Sequence, residues 1–331
     1  MEMEIRTHLL AAFLRDPGRF VSGASLGREL GLSRVSVHHH LEQLRREGFV
    51  FSAIRNRGYR MESEPPSLHP DLLSALLSES PCPFFSSHLC LPTVDSTNSV
   101  AETELASGRP VPFLVVADTQ TTGRGRRGRV WHSPPGRNLY LTAALRPSLR
   151  PARLQSVTLW LGLRLCRLLR DTFSLPVLVK WPNDLMLHDR KIAGMLTEAR
   201  VDSEVTRDLV FGLGLNVNIE ECAFPRELAD TAGSLGMALG RPVRLNRLAH
   251  RILHCLADAF QDFLETDPLD ELAALWPEFD YLRGQHVRAE GLEGQVLGIA
   301  RNGALRLLRE DGSQVLLHSG EVSVRRIPSG S

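Results

Sequence analysis

The segment GRGRRGRVW, residues 123–131, places four arginines and three glycines beside a tryptophan. Apolar segments that predict β-strands flank it, near residues 111–118 and 138–145. Glycines let a ligand lie close to the main chain, and arginines supply fork-shaped donors for carboxylate or phosphate. The pattern of strand, loop and strand therefore predicts a sheet that carries an anion-binding loop.

The charge of this loop also fits a nucleic-acid patch, a phosphate-binding P-loop or a solvated linker. The loop lacks the GxxxxGK[ST] order of a P-loop. Its GxGxxG spacing is not followed by a helical pattern with an acidic residue about 20 positions further on, so it is not a dinucleotide-binding fingerprint. Taken alone, the loop indicates only that an anion binds.

Further elements around the loop predict an α+β domain over residues 65–282. The predicted elements are a helix at 152–173, strands at 177–180, 191–201 and 209–219, and helices at 246–265 and 269–276. Neighbouring strands with few crossover helices favour a mostly antiparallel or mixed sheet. Residues 285–326 differ, because five short strands with glycines at the turns predict a small β-barrel in a C-terminal domain, 283–331.

Residues 1–64 predict a winged helix-turn-helix. A helix over 33–47 follows a glycine-containing turn, and the next segment alternates around an Arg-Asn-Arg-Gly turn, as in a β-hairpin. Ser33 is a candidate N-cap, and residues 28–60 hold seven arginines against three glutamates. The candidate DNA-binding residues are Ser33, Arg34, Ser36, His38, His39, Arg55 and Arg57.

A helical protein-interaction module with a solvated basic face is the alternative for this region. The run His38 to His40 also raises the possibility of a metal site. Successive helical residues point about 100° apart, so three in a row do not converge on one ion. The order of turn, helix and basic hairpin favours DNA binding.

The overall composition excludes several classes of protein. The 39 basic and 38 acidic residues exclude a wholly basic nucleic-acid-binding chain. The N-terminal sequence is unlike a secretory signal, and no apolar run is long enough to span a membrane. Five cysteines without a CxxC pair favour neither a disulfide framework nor a zinc site. We therefore expect a soluble, cytoplasmic protein without membrane contacts.

Lysine is almost absent from the chain. Of the 39 basic residues, only Lys180 and Lys191 are lysines. A lysine kept against this arginine bias suggests a task that needs a compact ammonium rather than a planar guanidinium. Both lysines are therefore candidate functional residues.

Two further polar clusters accompany the arginine loop. Residues 94–98, VDSTN, place short polar side chains where a strand is expected to meet a helix, and residues 180–184, KWPND, join a cation to an Asn-Asp pair at a turn. An Asp near phosphates is a suitable magnesium ligand. Each cluster alone also fits a helix cap or a hairpin turn.

The set VDSTN, GRGRRGRVW, SPPGRNLY, KWPNDL, RKIAGMLTE and GLGLNVN, in this order, resembles bacterial biotin-protein ligases. With the preceding winged helix, the chain is similar to the bifunctional ligases that also repress the biotin operon. The resemblance implies three domains: a winged helix-turn-helix, a catalytic domain related to class II aminoacyl-tRNA synthetases and lipoate ligases, and an SH3-like barrel.

The resemblance also implies a reaction and its site. Biotin and ATP would give biotinyl-5′-AMP, and a lysine of the biotin carboxyl carrier protein of acetyl-CoA carboxylase would accept the biotin. The implied biotin ligands are Ser96, Thr97, Asn98, Gln120, Arg124, Gly125, Arg126, Lys191 and Gly194. The implied ATP ligands are Arg126, Arg129, Trp131, Lys180, Asn183, Lys191 and Asn216. The implied catalytic set is Lys191, Arg126, Arg124, Lys180, Asn183 and Asp184, with Asp184 as the Mg²⁺ ligand.

By the same resemblance, biotinyl-5′-AMP would act as corepressor by promoting a homodimer that binds operator DNA. Two alternatives stay open. A DNA-binding sensor could have kept the catalytic domain only to bind a ligand, although Lys191 and Arg126 are intact. Ligation of lipoate or octanoate on a related fold is the other, and the full arginine loop disfavours it.

Overall fold

The computed structural model describes residues 2–202, 205–318, 320 and 322–324. The chain divides into two compact units, Met1–Pro83 with Pro242–Leu253, and Phe84–Arg241 with His254–Ser331. Among the described residues, no helix is long and apolar enough to cross a membrane.

The first unit contains the predicted helix-turn-helix and wing. Its elements are α1 (Glu2–Arg15), α2 (Gly23–Leu30), α3 (Arg34–Arg46), β1 (Val50–Ile54), β2 (Gly58–Ser63) and α4 (Pro70–Glu79). The Ser33 hydroxyl caps α3 by accepting a hydrogen bond from the Ser36 backbone N–H at 3.0 Å. Val37, Leu41 and Leu44 are fully buried, because they recur on one face of the helix.

The wing requires a glycine at its tip. Gly58 has a φ of +105°, and a Cβ added there would lie 2.1 Å from the carbonyl oxygen of Val21. Val21 and Tyr59 exchange backbone hydrogen bonds of 2.7 and 2.9 Å, which fix the hairpin to the segment before α2. The predicted Arg-Asn-Arg-Gly turn is therefore confirmed, with a physical reason for its glycine.

A seven-stranded mixed sheet forms the centre of the second unit. Its strands are β3 (Ser87–Val94), β4 (Phe113–Gln120), β5 (Leu139–Leu145), β6 (Leu178–Lys180), β7 (Asp184–Leu187), β8 (Arg190–Asp202) and β9 (Val205–Leu215). They lie in the order β3-β4-β5-β9-β8-β7-β6, and over the residues that the structure describes β3 pairs with β4 in parallel while the other neighbours are antiparallel. The prediction of a mostly antiparallel or mixed sheet is confirmed.

The helices of this unit are α5 (Thr97–Ala106), α6 (Leu154–Phe173), α7 (Leu235–Leu239), the later turns of α8 (Leu245–Glu265), and α9 (Leu269–Phe279). The early turns of α8 belong to the first unit. In α6, a Cβ added to Gly162 would lie 2.8 Å from Met195 Cε, so this glycine lets the helix pack closely on β8.

One predicted strand ends earlier than expected. The strand predicted over 209–219 stops at residue 215, and beyond it the Val217 N–H bonds to an asparagine side chain instead of a ladder carbonyl. Asn138 Oδ1 accepts a hydrogen bond from the Val217 N–H at 3.0 Å, and Asn138 Nδ2 donates to Asn216 Oδ1 at 3.4 Å. Polar side chains that bond to the main chain divert it from the sheet in this way.

The last part of the second unit is a five-stranded antiparallel sheet. Its strands are β10 (His286–Ala289), β11 (Leu292–Ile299), β12 (Leu305–Leu308), β13 (Gln314–Leu317) and β14 (Ser323–Val324). The order β13-β12-β11-β10-β14 places the last strand beside the first, as in a small barrel. The predicted final strand extends to residue 326, and its end lies outside the described residues.

Candidate active site

A cavity of about 810 Å³ opens in the second unit, above the ends of β8 and β9. The structure brings all the residues predicted for biotin, ATP and magnesium to this one cavity. They are Ser96, Thr97, Asn98, Gln120, Arg124, Gly125, Arg126, Arg129, Trp131, Lys180, Asn183, Asp184, Lys191, Gly194 and Asn216. Separate sequence motifs therefore converge on a single volume, large enough for a drug-sized ligand.

Two glycines form part of the cavity floor beneath an indole. Gly194 on β8 and Gly214 on β9 are register partners. A Cβ added to Gly194 would lie 2.9 Å from Trp131 Cζ3, and one added to Gly214 would lie 2.5 Å from Trp131 Nε1. Trp131 Nε1 is buried and has no hydrogen-bond partner among the described residues. The floor is therefore flat, with one aromatic donor above it.

We expect Gly214→Ala to raise the Kd of the cavity's ligand about tenfold, because the methyl group displaces the Trp131 indole. Overpacking of this kind costs about 1–3 kcal/mol. Isothermal titration with biotin, the ligand that the sequence resemblance implies, measures the change. In a Trp131→Ala background the same substitution should have little effect, since the clash is gone, and an equal effect in both backgrounds would contradict this explanation.

A neutral polar wall lies at the N-terminus of α5. The Thr97 N–H and hydroxyl both donate to Gln120 Oε1, at 2.8 and 3.1 Å. Gln120 Nε2 donates to the Ser133 hydroxyl at 3.0 Å. Ser96 precedes the helix, is 2 % exposed, and makes no side-chain cap bond. These uncharged groups suit an uncharged, hydrogen-bonding part of a ligand.

Asn98 is held by the protein on both sides of its amide. Its Oδ1 accepts from the Thr142 hydroxyl at 2.7 Å, and its Nδ2 donates to Glu198 Oε2 at 2.7 Å. Sequence reasoning missed Thr142, Glu198 and Ser133. Ser133 lies inside the SPPGRNLY motif and Glu198 ends the RKIAGMLTE motif, so both motifs could have drawn attention to them.

The arginine loop forms a tight hairpin. Arg124 pairs with Val130, the Gly125 N–H donates to the Arg129 carbonyl at 2.7 Å, and the Trp131 N–H donates to the Gly123 carbonyl at 2.8 Å. A Cβ added to Gly123 would lie 2.7 Å from the Ser133 hydroxyl. The loop is thus ordered by its own backbone and by its exit segment.

Arg124 is surrounded by acceptors. It binds both oxygens of Glu102, at 3.1 and 3.0 Å, the Ser99 hydroxyl at 3.2 Å, and Glu198 Oε1. The hydrogen bonds that Arg124 donates to the carboxylates of Glu102 and Glu198 raise the pKa of Arg124 above its usual value, against the effect of its burial. Arg124 is therefore a firmly held cation at the base of the loop.

The next two arginines contact other parts of the unit. Arg126 Nη1 donates to Asn183 Oδ1 and to the Gly320 carbonyl, both at 3.3 Å. Arg127 has a φ of +56° and pairs with Glu290 Oε1 at 2.8 Å. The loop tip therefore reaches both the KWPND turn and the C-terminal sheet.

Lys191 is one of the cations that line the cavity. Its Nζ is 2.7 Å from Asp184 Oδ1 and 5.3 Å from the Trp131 ring centroid. Its backbone is fixed separately, by a bond from its N–H to the Thr231 carbonyl at 2.7 Å and one from the Gly233 N–H to its carbonyl at 3.0 Å. Lys180 ends β6 and faces the same cavity, so both lysines of the chain lie there.

A different cluster in the first unit resembles a metal site. Among the described residues, Glu47, His69 and Asp71 are the one set of three whose ligand atoms lie within 4.8 Å of one another. Arg6 already occupies this cluster, with Nε 2.6 Å from Asp71 Oδ2 and a bond to Glu47. His69 Nε2 lies 2.7 Å from Glu47. The group is a salt-bridge network that joins α1, α3 and α4.

The predicted DNA-binding residues lie together in the first unit. Arg34, His38 and His39 are exposed on α3, Ser36 is half-buried, and Ser33 is its N-cap. Arg55 and Arg57 are exposed in the turn between β1 and β2, where Arg57 stacks on Phe20 at 4.9 Å. Helix and wing thus present arginine and histidine side chains to solvent.

Three family models match the chain in this order: "HTH domain" over residues 6–60, "Biotin/lipoate A/B protein ligase family" over 90–216, and "Biotin protein ligase C terminal domain" over 283–325. The chain is similar to the bifunctional ligase/repressor BirA of Bacillus subtilis, with 32% identity over 94% of this chain and 96% of that protein. The corresponding protein of Escherichia coli is 33% identical over 93% of this chain and 94% of its own length.

Among solved structures, the chain is similar to the biotin protein ligase from Aquifex aeolicus in complex with biotin and ATP. The TM-score is 0.61 at 28% identity, over 73% of this chain and all of that chain. The N-terminal helix-turn-helix, the central ligase domain and the C-terminal domain all match a family model. The chain therefore belongs to the biotin-protein ligase family, among its bifunctional ligase/repressor members.

Proposed function

We propose that this protein is an ATP-dependent ligase that joins biotin to a lysine of the biotin carboxyl carrier protein of acetyl-CoA carboxylase. The observation that carries the proposal is one cavity whose lining combines a neutral polar wall with Arg126, Lys180 and Lys191. A neutral ureido ring and a carboxylate are the two ends of biotin. The cavity therefore offers neutral hydrogen-bonding partners for the ureido ring and cations for the carboxylate.

The neutral wall would hold the ureido group. Thr97 and Gln120 supply hydroxyl and amide groups, and Ser96 adds a buried hydroxyl with no capping role. The apolar part of the ligand would lie on the flat glycine floor, against Trp131. An uncharged polar group in such a site needs all its hydrogen bonds, which favours biotin over lipoate, since lipoate has no ureido group.

In the first step, a biotin carboxylate oxygen attacks the α-phosphorus of ATP, the bond to the bridging oxygen breaks, and pyrophosphate leaves. Two anions must meet, so the site needs cations more than a nucleophile. We assign Lys191 to the carboxylate and α-phosphate. Arg126 holds the phosphate from the loop, and Lys180 with Asn183 binds the departing pyrophosphate.

In the second step, the carrier lysine amine attacks the acyl carbonyl of biotinyl-5′-AMP. The amine loses a proton, an amide forms, and AMP leaves. Until then the mixed anhydride must be shielded from water, and the arginine loop would act as its lid. Arg129, Trp131 and Asn216 would enclose the nucleotide.

Magnesium would enter with the ATP phosphates. Asp184 and Asp189 are the carboxylates among the described cavity residues, and Asp189 accepts a hydrogen bond from the Tyr281 hydroxyl at 3.0 Å. Mg²⁺ commonly takes one or two protein carboxylates and completes its shell with phosphate and water. This donor set therefore fits, with Asp184 as the ligand, and the ion would neutralise phosphate charge.

Incubation of the full chain with biotin, ATP and magnesium, followed by native mass spectrometry, tests the function. The expected product is protein-bound biotinyl-5′-AMP, together with biotin-dependent exchange of pyrophosphate into ATP. Lipoate should support neither. No exchange with biotin would leave a ligand-sensing module, and exchange with lipoate alone would reassign the substrate.

A second function rests on the first unit. We propose that helix α3 and the wing bind operator DNA of biotin-synthesis genes, and that biotinyl-5′-AMP is the corepressor of a homodimer. The exposed arginines at both positions support this, because α3 suits a major groove and the wing suits phosphates. We also propose domain limits of 1–64, 65–282 and 283–331, and a cytoplasmic location.

We expect Arg55→Ala with Arg57→Ala to weaken DNA binding across all sequences. Loss of two phosphate contacts should lower the slope of log K against log salt by about 2. The measurement uses duplex DNA selected by the full chain from a random library with biotin and ATP present. Arg15→Ala is the matched control, since Arg15 pairs with Glu29 and Glu79 instead. An unchanged salt slope in the double variant would remove the wing from the interface.

A further inference from the structure

Glu198 on β8 joins two residues of the cavity without lining it. Its Oε1 accepts a hydrogen bond from Arg124 Nη2, and its Oε2 accepts one from Asn98 Nδ2 at 2.7 Å. Arg124 begins the arginine loop, and Asn98 lies in the first turn of α5. One carboxylate therefore connects the loop, a helix and a strand of the cavity floor.

The Asn98 side of this connection is rigid. Asn98 is 3 % exposed, and its Oδ1 accepts the Thr142 hydroxyl at 2.7 Å. A Cβ added to Gly212 would lie 2.2 Å from Asn98 Oδ1, so the amide is packed directly on the β9 backbone. The Nδ2 group therefore points to Glu198 in one orientation and fixes its carboxylate.

On the other side of this connection, Arg124 uses most of its N–H groups in hydrogen bonds to the protein. An arginine has five N–H groups, and Arg124 makes four hydrogen bonds, one to Ser99, two to Glu102 and one to Glu198. Its side chain is 34 % exposed and that of Glu198 is 33 % exposed, so the pair is shielded only in part. In this arrangement Arg124 binds mainly to the protein, and Arg126 and Lys191 are left to contact the substrate anions.

We propose that Glu198 is a positioning residue that anchors the base of the arginine loop to the cavity floor and so slows the release of biotinyl-5′-AMP. Arg126 lies only two residues beyond Arg124, and its guanidinium meets Asn183. When the base of the arginine loop is fixed, the Arg126 guanidinium stays over the cavity. When that attachment is lost, the loop can open. The inference rests on the proposed ligase function.

The test compares Glu198→Gln with wild type and with Glu104→Gln. Glutamine keeps the shape of the side chain, but it has an oxygen at only one of the two positions, so its NH2 group would face the donor of either Arg124 or Asn98. Glu104 is the matched control, because it pairs with Arg109 at 2.5 Å on α5 and does not contact the loop. The readouts are the release rate of preformed biotinyl-5′-AMP and the kcat of pyrophosphate exchange at saturating biotin.

We expect release from Glu198→Gln to be about tenfold faster, a change of about 1.4 kcal/mol. The exchange kcat should stay within about twofold of wild type, a split that general unfolding would not produce. The Glu104→Gln control should match wild type in both readouts. If Glu198→Gln does not fold, Glu198→Asp, which is too short to reach both partners, replaces it.

A double-mutant cycle tests whether Glu198 changes the release rate through its contact with Arg124. In an Arg124→Gln background, Glu198→Gln should add little to the release rate, because the link is already broken. Wild-type release from Glu198→Gln, or fully additive effects of the two substitutions, would overturn the inference. A wild-type protein that forms no biotinyl-5′-AMP would instead refute the ligase function, so the two failures are distinct.

Discussion

Replacing Lys191 with alanine is expected to abolish the formation of biotinyl-5′-AMP in a protein that stays folded. The ammonium lies beside both Asp184 and Trp131, and in the proposed mechanism charge develops there in the first step. Loss of one such oriented donor costs about 10²–10³ in rate. The backbone hydrogen bonds of Lys191 to residues 231 and 233 do not involve its side chain, so the strand should survive.

Pyrophosphate exchange measures this loss, and circular dichroism verifies the fold. Lys191→Arg separates charge from shape, and we expect it to restore little activity, because a planar guanidinium cannot occupy the place of a compact ammonium. Arg200→Ala is the matched control, since Arg200 is exposed on the same strand and outside the cavity. Normal exchange in Lys191→Ala would exclude Lys191 from the first step.

The local elements of the fold were predictable because their signals are local. The N-cap serine and the buried positions 37, 41 and 44 define α3, and the Gly58 turn defines the wing. The end of β9 was not predictable in the same way. It depends on Asn138, whose amide bonds to the main chain 79 residues further on.

The candidate site likewise contains residues that the sequence identifies and residues that only the folded structure reveals. Motif residues could be named as a set, and the structure gathers them at one cavity. Glu102 lies 22 residues from Arg124 on a helix outside the motifs, so it could not be named, whereas Glu198, 74 residues away, ends the RKIAGMLTE motif but meets Arg124 only through the tertiary fold. Positioning residues of this kind depend on tertiary packing, which a sequence pattern does not encode.

The two lysines stand out both in the sequence and in the structure. The arginine bias marked Lys180 and Lys191 as candidates, and the structure places both at the cavity that also holds the arginine loop. An acyl-adenylate reacts with amines and not with guanidinium groups that stay protonated. Any lysine labelled by an escaping intermediate is therefore to be sought mainly on other proteins.

Replacing Arg126 with glycine is expected to release biotinyl-5′-AMP faster and to label lysines of bystander proteins. Arg126 connects the loop to Asn183 and to the Gly320 carbonyl, and in the proposed mechanism it supplies a charged donor for the adenylate phosphate. Hydrogen bonds to charged groups contribute about 1.5–3 kcal/mol, so release should accelerate by about tenfold or more.

Two measurements test this expectation: the dissociation rate of preformed biotinyl-5′-AMP, and biotin incorporation into added serum albumin. Arg127→Gly is the matched control, because it puts the same flexible residue into the same loop but removes only the exposed pair with Glu290. Labelling should therefore rise far more in Arg126→Gly than in Arg127→Gly. If the two variants release the adenylate equally fast, loop flexibility and not the Arg126 guanidinium retains the intermediate, and if neither differs from wild type, the loop is not its lid.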